Sequence, residues 1–363
     1  MGKWKNFFAS SWGIIAVGAF IGLFAPLLQK WGNPPNMGIC VACMERDIAG
    51  ALGLHRAAVV QYLRPEILGF VLGSFLAALA FKEFKPRGGS APVIRFFLGI
   101  FAMIGALVFL GCPWRALLRL AGGDGNAIVG LLGLIFGIWL GTLFFKRGYS
   151  LGRSTSSSAL AGYIFPLFIL GLLVLRFIYP PLEGAPKNDV LFYSVKGPGA
   201  MYAPLLASLG VALVIGFLAQ RSRFCTMGAF RDLLLFGQKH LFWGVVALVV
   251  VAFGMNLVLG QFHPGFAHQP IAHDQHFWNF AGMALAGLAF ALAGGCPGRQ
   301  LFLAGEGDGD AGIFVLGMII GAAFAHNFGL ASSPKGIGVH GMAGVIVGFI
   351  FCLWVGFAQS KKS

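Results

Sequence analysis

Apolar residues do not alternate with polar ones along this chain; they run together. Uninterrupted apolar stretches cover residues 12–28, 65–81, 92–110, 126–145 and 159–179, and again 201–219, 241–259, 277–293, 311–328 and 339–357. A helix of roughly 17–25 apolar residues crosses a bilayer, so each stretch predicts one membrane span. Polar joints separate them. Residues 29–64 form the longest joint in the first half, and within it 44–54 is apolar enough for a short helix but too short to cross. A second short apolar piece follows Arg221-Ser222-Arg223-Phe224-Cys225. The pattern predicts an all-α polytopic membrane protein with five spans in each half. The halves are residues 1–179 and 201–363, joined by a linker at 180–200.

The halves also repeat in motif. Gly111-Cys112-Pro113-Trp114-Arg115 returns as Gly295-Cys296-Pro297-Gly298-Arg299, 184 positions later. Gly123-Asp124-Gly125 returns as Gly307-Asp308-Gly309 at the same offset. Upstream, Cys40 leads by six residues to Arg46-Asp47, and Cys225 leads by six to Arg231-Asp232, an offset of 185. Two pairs of motifs in one order at nearly one offset mark a duplication. With an odd number of spans per unit, the second copy enters the membrane upside down, which predicts an inverted repeat with short re-entrant helices.

Composition supports the class. Hydrophobic residues make up 58% of the 363 and charged residues only 10%, against about 25% charged in soluble domains. The net charge of +14 would suggest nucleic acid for a soluble chain. In a membrane protein it reads as cytoplasmic loop charge, so nucleic acid is excluded as a partner and membrane lipid is the medium. With both termini cytoplasmic, the basic segments 82–87, 146–153, 221–239 and Lys361-Lys362 all fall inside, and 260–276, which lacks Lys and Arg, falls outside. The first apolar run has no small-residue cleavage site behind it and is expected to stay as a span.

Each Gly-Cys-Pro-x-Arg places a cysteine just before a proline that starts a helix. The helix dipole and free amides there favour a thiolate or a bound anion. Arg115 and Arg299 add a fixed positive charge one turn on. Interrupted helices are tolerated inside a membrane where they line a cavity or are buried in protein. Two inverted copies would aim such starts at one midplane path, so the expected ligand is a small anion, and the thiols suggest that it contains sulfur or selenium. The substrate-path residues read from the motifs are Cys40, Cys112, Cys225, Cys296, Arg46, Arg115, Arg231 and Arg299, with Cys43 as an accessory thiol unmatched in the second half. Asp124 and Asp308 are expected as helix caps, Cys352 as core, and His263, His268, His273 and His276 as solvated loop histidines. No cofactor or resident metal is expected.

The duplicated cysteine motifs, above all Arg-Ser-Arg-Phe-Cys-Thr-Met-Gly and Gly-Gly-Cys-Pro-Gly-Arg-Gln, resemble the YeeE/YedE family of bacterial inner-membrane transporters. The resemblance covers both halves and looks more like the YedE branch, linked to selenium metabolism, than the thiosulfate-importing YeeE branch. It implies a multi-pass bacterial inner-membrane importer, with Cys40, Cys112, Cys225 and Cys296 relaying substrate through a narrow constriction. It also implies a cytoplasmic sulfur-carrier protein as partner. Cys43 departs from the pattern and leaves open whether the outer step uses one thiol or two. Two other readings stay open on residues alone: a membrane thiol enzyme, such as a sulfur or selenium transferase or a disulfide oxidoreductase, and a soft-metal transporter using Cys40, Cys43 and the histidines.

Overall fold

The computed structural model describes residues 7–182, 184–188 and 190–361; Lys362 and Ser363 lie outside them. In the first half the helices that lie wholly among the described residues include α1 (Ser11–Lys30), α2 (Val41–Ala51), α3 (Pro65–Ala80), α4 (Pro92–Phe109), α5 (Pro113–Ala121), α6 (Asn126–Lys146) and α7 (Ala159–Ile178). In the second half they include α8 (Leu205–Ser222), α9 (Thr226–Phe236), α10 (His240–Val258), α11 (His276–Ala293), α12 (Pro297–Gly305), α13 (Gly309–Asn327) and α14 (Gly341–Ala358). The only paired strands among the described residues are β1 (Arg87–Gly88) and β2 (Thr155–Ser156), which were not expected. They tie the α3–α4 joint to the α6–α7 joint.

The chain is an all-α polytopic membrane protein. Among the described residues, nine stretches are long and apolar enough to cross a membrane. The tenth expected span, α3, has 16 residues, or about 24 Å of helix. Pro65 fixes its start, since a proline belongs in the first turn.

Helix pairing is regular across the halves. α1 packs along α10, and α3 along α8; α6 packs along α11, and α13 along α4; α4 and α11 also pack on each other. Glycine makes these approaches close. A Cβ added to Gly18 of α1 would run into the Gly244 carbonyl of α10, and one added to Gly73 of α3 into the Leu213 carbonyl of α8. In a membrane, where apolar surface gains nothing from leaving lipid, backbone approach of this kind is what holds helices together. The pairing is less even at the edges: α14 packs on α4 and α11, whereas α7 packs on α3.

The connections place the basic segments together. Arg221 pairs with Glu83 at 2.7 Å, and Arg87 with Asp308 at 2.8 Å. Ser150 bonds the Gln359 carbonyl from its amide. The joints 81–91, 147–158, 223–239 and 306–308 thus share one end of the bundle. At the other end, Gly123 and Gly125 bond the segment 263–265 through backbone groups, and Asn327 Nδ2 donates to the Leu54 carbonyl.

Candidate functional site

The motif cysteines stand in two pairs. Cys40 Sγ lies 3.8 Å from Cys112 Sγ, and Cys225 Sγ lies 3.7 Å from Cys296 Sγ. All are unoxidised and buried. Each pair is made by two helix starts meeting. Cys40 caps α2, its sulfur accepting from the Cys43 amide at 3.4 Å, and Cys225 caps α9 in the same way through Gly228 at 3.2 Å. Cys112 and Cys296 occupy the cap positions of α5 and α12, with Pro113 and Pro297 in the first turn. The Ala42 and Arg115 amides face the Cys112 sulfur, and the Thr226 and Arg299 amides face that of Cys296. Two helix dipoles with free first-turn amides therefore converge on each thiol pair, a setting that favours a negative ligand.

The break before α5 has a local cause. Leu110 adopts a left-handed conformation at φ 65°, which an L-residue reaches only at some cost. Its turned-out carbonyl accepts from Arg115 Nη1 and from the Cys43 thiol, the latter at 3.8 Å. At the matching position of the second half, Gly294 takes the same conformation at φ 88°, without the Cβ penalty.

The arginines differ. Arg115 is fully buried and pairs with no carboxylate among the described residues. It donates to the Leu110 and Ile271 carbonyls and lies 3.4 Å from Cys43 Sγ. Arg299 reaches Glu306 at 3.3 Å. Arg46 pairs with Asp47 at 2.7 Å, and Asp47 also holds Arg64 at 2.7 Å, all three buried. Arg231 pairs with Asp232 at 2.8 Å in a half-buried setting. Cys43 thus joins the first site through Arg115. Arg46 and Arg231, six residues past the capping thiols, turn to their neighbouring aspartates.

Asp308 caps α13, accepting from Ala311 at 3.0 Å. Asp124 departs from the expectation. Gly125 holds the cap position of α6, and Asp124 pairs with Arg119 at 2.6 Å while accepting from the Asn126 amide at 2.9 Å. The buried Arg119 needs that counter-charge more than the helix needs a side-chain cap. His273 is a second correction. It is buried, not solvated, and its Nε2 donates to the Val108 carbonyl at 2.8 Å. Burial pushes the imidazole of this loop residue down, which keeps it neutral. No group of three or more potential metal ligands occurs among the described residues. Cys352 is core, fully buried in α14.

Sequence reasoning missed a buried aromatic cluster. Trp114, two residues after Cys112, packs against Phe70, Phe224 and Phe302 with ring centroids 5.7–6.1 Å apart. All four are essentially inaccessible. It also missed Glu45, fully buried with neither carboxyl oxygen hydrogen-bonded. At the basic end of the bundle, Glu83, Lys85, Arg87, Arg223 and Glu306 line a cleft of about 270 Å³. Burial works against the charged form of Glu83, but hydrogen bonds from Gln220 and Arg221 outweigh it and hold the carboxyl below its usual range.

Residues 221–345 match the family model described as sulphur transport. The chain is 30% identical over 108 residues to the thiosulfate transporter TsuA of Escherichia coli (strain K12), and 33% identical over 97 residues to that of Spirochaeta thermophila. These alignments cover 30% and 27% of this chain, and 30% and 29% of the relatives. Less than a third of either relative's length is thus spanned. The family resemblance carried by the motifs is supported by both comparisons; neither relative's name mentions selenium.

Proposed function

We propose that this chain, a membrane protein whose residues 221–345 match the sulphur-transport family, is a transporter that imports a small sulfur- or selenium-containing anion across the bacterial inner membrane. The observation that carries the reading is Arg115. A guanidinium with no exposed surface and no carboxylate partner, beside a thiol, is an uncompensated buried charge. Such a charge is costly in a protein interior, and a transiting anion offsets it. Thiosulfate fits in kind: its terminal sulfur is soft, its oxygens accept hydrogen bonds, and the site offers thiols, a guanidinium and helix-start amides.

The two thiol pairs form successive stations. Cys40 and Cys112, with Cys43 and Arg115, make the outer one; Cys225 and Cys296, with Arg299, make the inner one. The thiols donate hydrogen bonds to the anion at each station, and the mirrored motif offsets are read as an inverted repeat that presents equivalent stations to the two sides. The swapped pairing of α1 with α10 and α3 with α8 supports that reading. The basic joints at one end of the bundle support a cytoplasmic assignment for that end. A relay must release what it binds, so moderate affinity at both stations serves flux better than tight binding at one. This arrangement favours a transporter over an enzyme, which needs one reactive site and not two at mirrored places.

The test is uptake of labelled thiosulfate, selenite and divalent metal ions into proteoliposomes. Concentrative or exchange uptake of thiosulfate or selenite is expected, lost when Cys112 and Cys296 are both replaced by alanine. Wild-type uptake by that double variant would reduce the thiols to packing.

A further inference from the structure

Residues that flank the two thiol stations meet at one side chain, and it has no equivalent in the other half. Trp114 sits in the first turn of α5, and the position matching it in α12 is Gly298, 184 residues on. The two meet. A Cβ built on Gly298 would stand 2.9 Å from Trp114 Cζ2. The indole is therefore held among residues flanking three of the four station cysteines. It follows Cys112 by two positions, it touches Gly298, two positions after Cys296, and it packs edge-on at 6.0 Å against Phe224, which precedes Cys225. Phe70 of α3 and Phe302 of α12 close the ring around it. Tryptophan at position 298 as well would leave no room, and glycine at both would leave the space of the indole unfilled.

The polar tip of this plug is free. Trp114 Nε1 is buried and has no hydrogen-bond partner. Buried indole N–H groups normally find one, since an unpaired donor away from water is costly. The company is telling. Two other buried polar atoms beside the stations lack partners, Arg115 Nε and the Thr226 hydroxyl, and both can donate. Arg115 follows Trp114, and Thr226 follows Cys225. Unpaired donors on residues beside both stations are what a passing anion would satisfy.

We infer that Trp114 is the gate between the two thiol stations: its ring closes the path, and its free N–H is the donor that takes the anion halfway. The inference rests on the transport reading above. It assigns to one residue both the barrier and the hand-over, because moving the ring aside to open the path carries the N–H with the anion. A chloride or a sulfate lacks the soft sulfur that the thiols hold on either side, so the gate need not recognise the substrate by itself.

The experiment uses the full-length protein and two readouts. The first is uptake of ³⁵S-labelled thiosulfate into liposomes, with labelled sulfate as a leak probe. The second needs no substrate: labelling of the cysteines by a small anionic methanethiosulfonate applied to one membrane face, read by peptide mass spectrometry. Wild type should be modified at one station only from each face. Trp114→Phe, which keeps the plug and removes the N–H, should lower thiosulfate uptake at least tenfold without sulfate leak or altered labelling. Trp114→Ala should let the reagent reach both stations from one face, at least tenfold faster at the far one, and admit sulfate. Gly298→Ala, which presses a methyl onto the ring, should slow uptake with no leak, and it serves as the second probe if Trp114→Ala does not fold. Wild-type uptake by Trp114→Phe would overturn the donor role. Unchanged labelling in a monodisperse Trp114→Ala protein, or unchanged uptake in Gly298→Ala, would overturn the gate. If wild type carried neither thiosulfate nor selenite, the transport reading would fail, while the labelling contrast would still decide the gate.

Discussion

The sulfurs of Cys225 and Cys296 lie 3.7 Å apart at the meeting of two helix starts, and Cys40 with Cys112 repeats the relationship at 3.8 Å. A disulfide bond is about 2.05 Å long, so each pair must close by less than 2 Å to join. Copper–phenanthroline, as the oxidant that accepts the two electrons, is expected to remove two thiols per pair, convert them to intramolecular disulfides and stop uptake. Dithiothreitol should restore both thiols and flux. Cys352, alone in the core of α14, should stay reduced. Peptide mapping checks the pairing, and cross-links joining Cys40 to Cys225 would contradict the two-station geometry.

Arg115 carries the charge that an anion would neutralise. Arg115→Ala should cut uptake more than tenfold while the protein still reaches the membrane. Arg115→Lys keeps the charge but cannot reach the Leu110 and Ile271 carbonyls as a planar fork, so an intermediate loss is expected. Cys43→Ala removes the sulfur beside that guanidinium and should raise the apparent KM while leaving some flux. Equal uptake by Arg115→Ala and wild type, normalised to membrane protein, would show the buried charge to be structural.

The spans other than α3 and the duplicated motifs could be read from residue order, because apolar run length and a fixed offset survive without coordinates. Trp114 could not. Its significance lies in meeting Gly298 across 184 positions, and a tryptophan in an apolar stretch has no local mark that separates a plug from packing. One signal was present: within Gly-Cys-Pro-x-Arg the two copies differ at the fourth place, the largest side chain in one and none in the other. Asp124 was misread for a related reason. Its sequence context is that of a helix cap, and only the fold brings Arg119 to 2.6 Å.

Close helix packing gives a stability test independent of transport. A Cβ at Gly18 or Gly73 would collide with a backbone carbonyl of the facing helix, and backbone cannot move aside as a flexible side chain can. Gly18→Val and Gly73→Val should therefore abolish accumulation of folded protein. Gly171→Val is the control, since nothing lies within 4 Å of that site. Fluorescence-detected gel filtration of a tagged protein separates the outcomes, and a monodisperse Gly73→Val protein would contradict the observed approach of α3 to α8.

Two neighbouring carboxylates on α2 make the last contrast. Asp47 holds both Arg46 and Arg64 at 2.7 Å, so Asp47→Asn leaves two buried guanidiniums sharing one neutral amide. Breaking a buried ion pair in this way costs about 3–5 kcal/mol, enough to lower the melting temperature in detergent by many degrees. Glu45 is as deeply buried, yet neither of its oxygens has a partner, and the matching residue of α9 is Phe230, an apolar side chain. Replacing a buried, unbonded polar group with an apolar one of similar size is neutral or stabilising. Glu45→Leu should thus keep or raise the melting temperature while Asp47→Asn lowers it, though the two differ by only two positions on one helix. If both variants were equally destabilised, the isolation of Glu45 from any partner would be wrong, and a group bonding it would have to be sought.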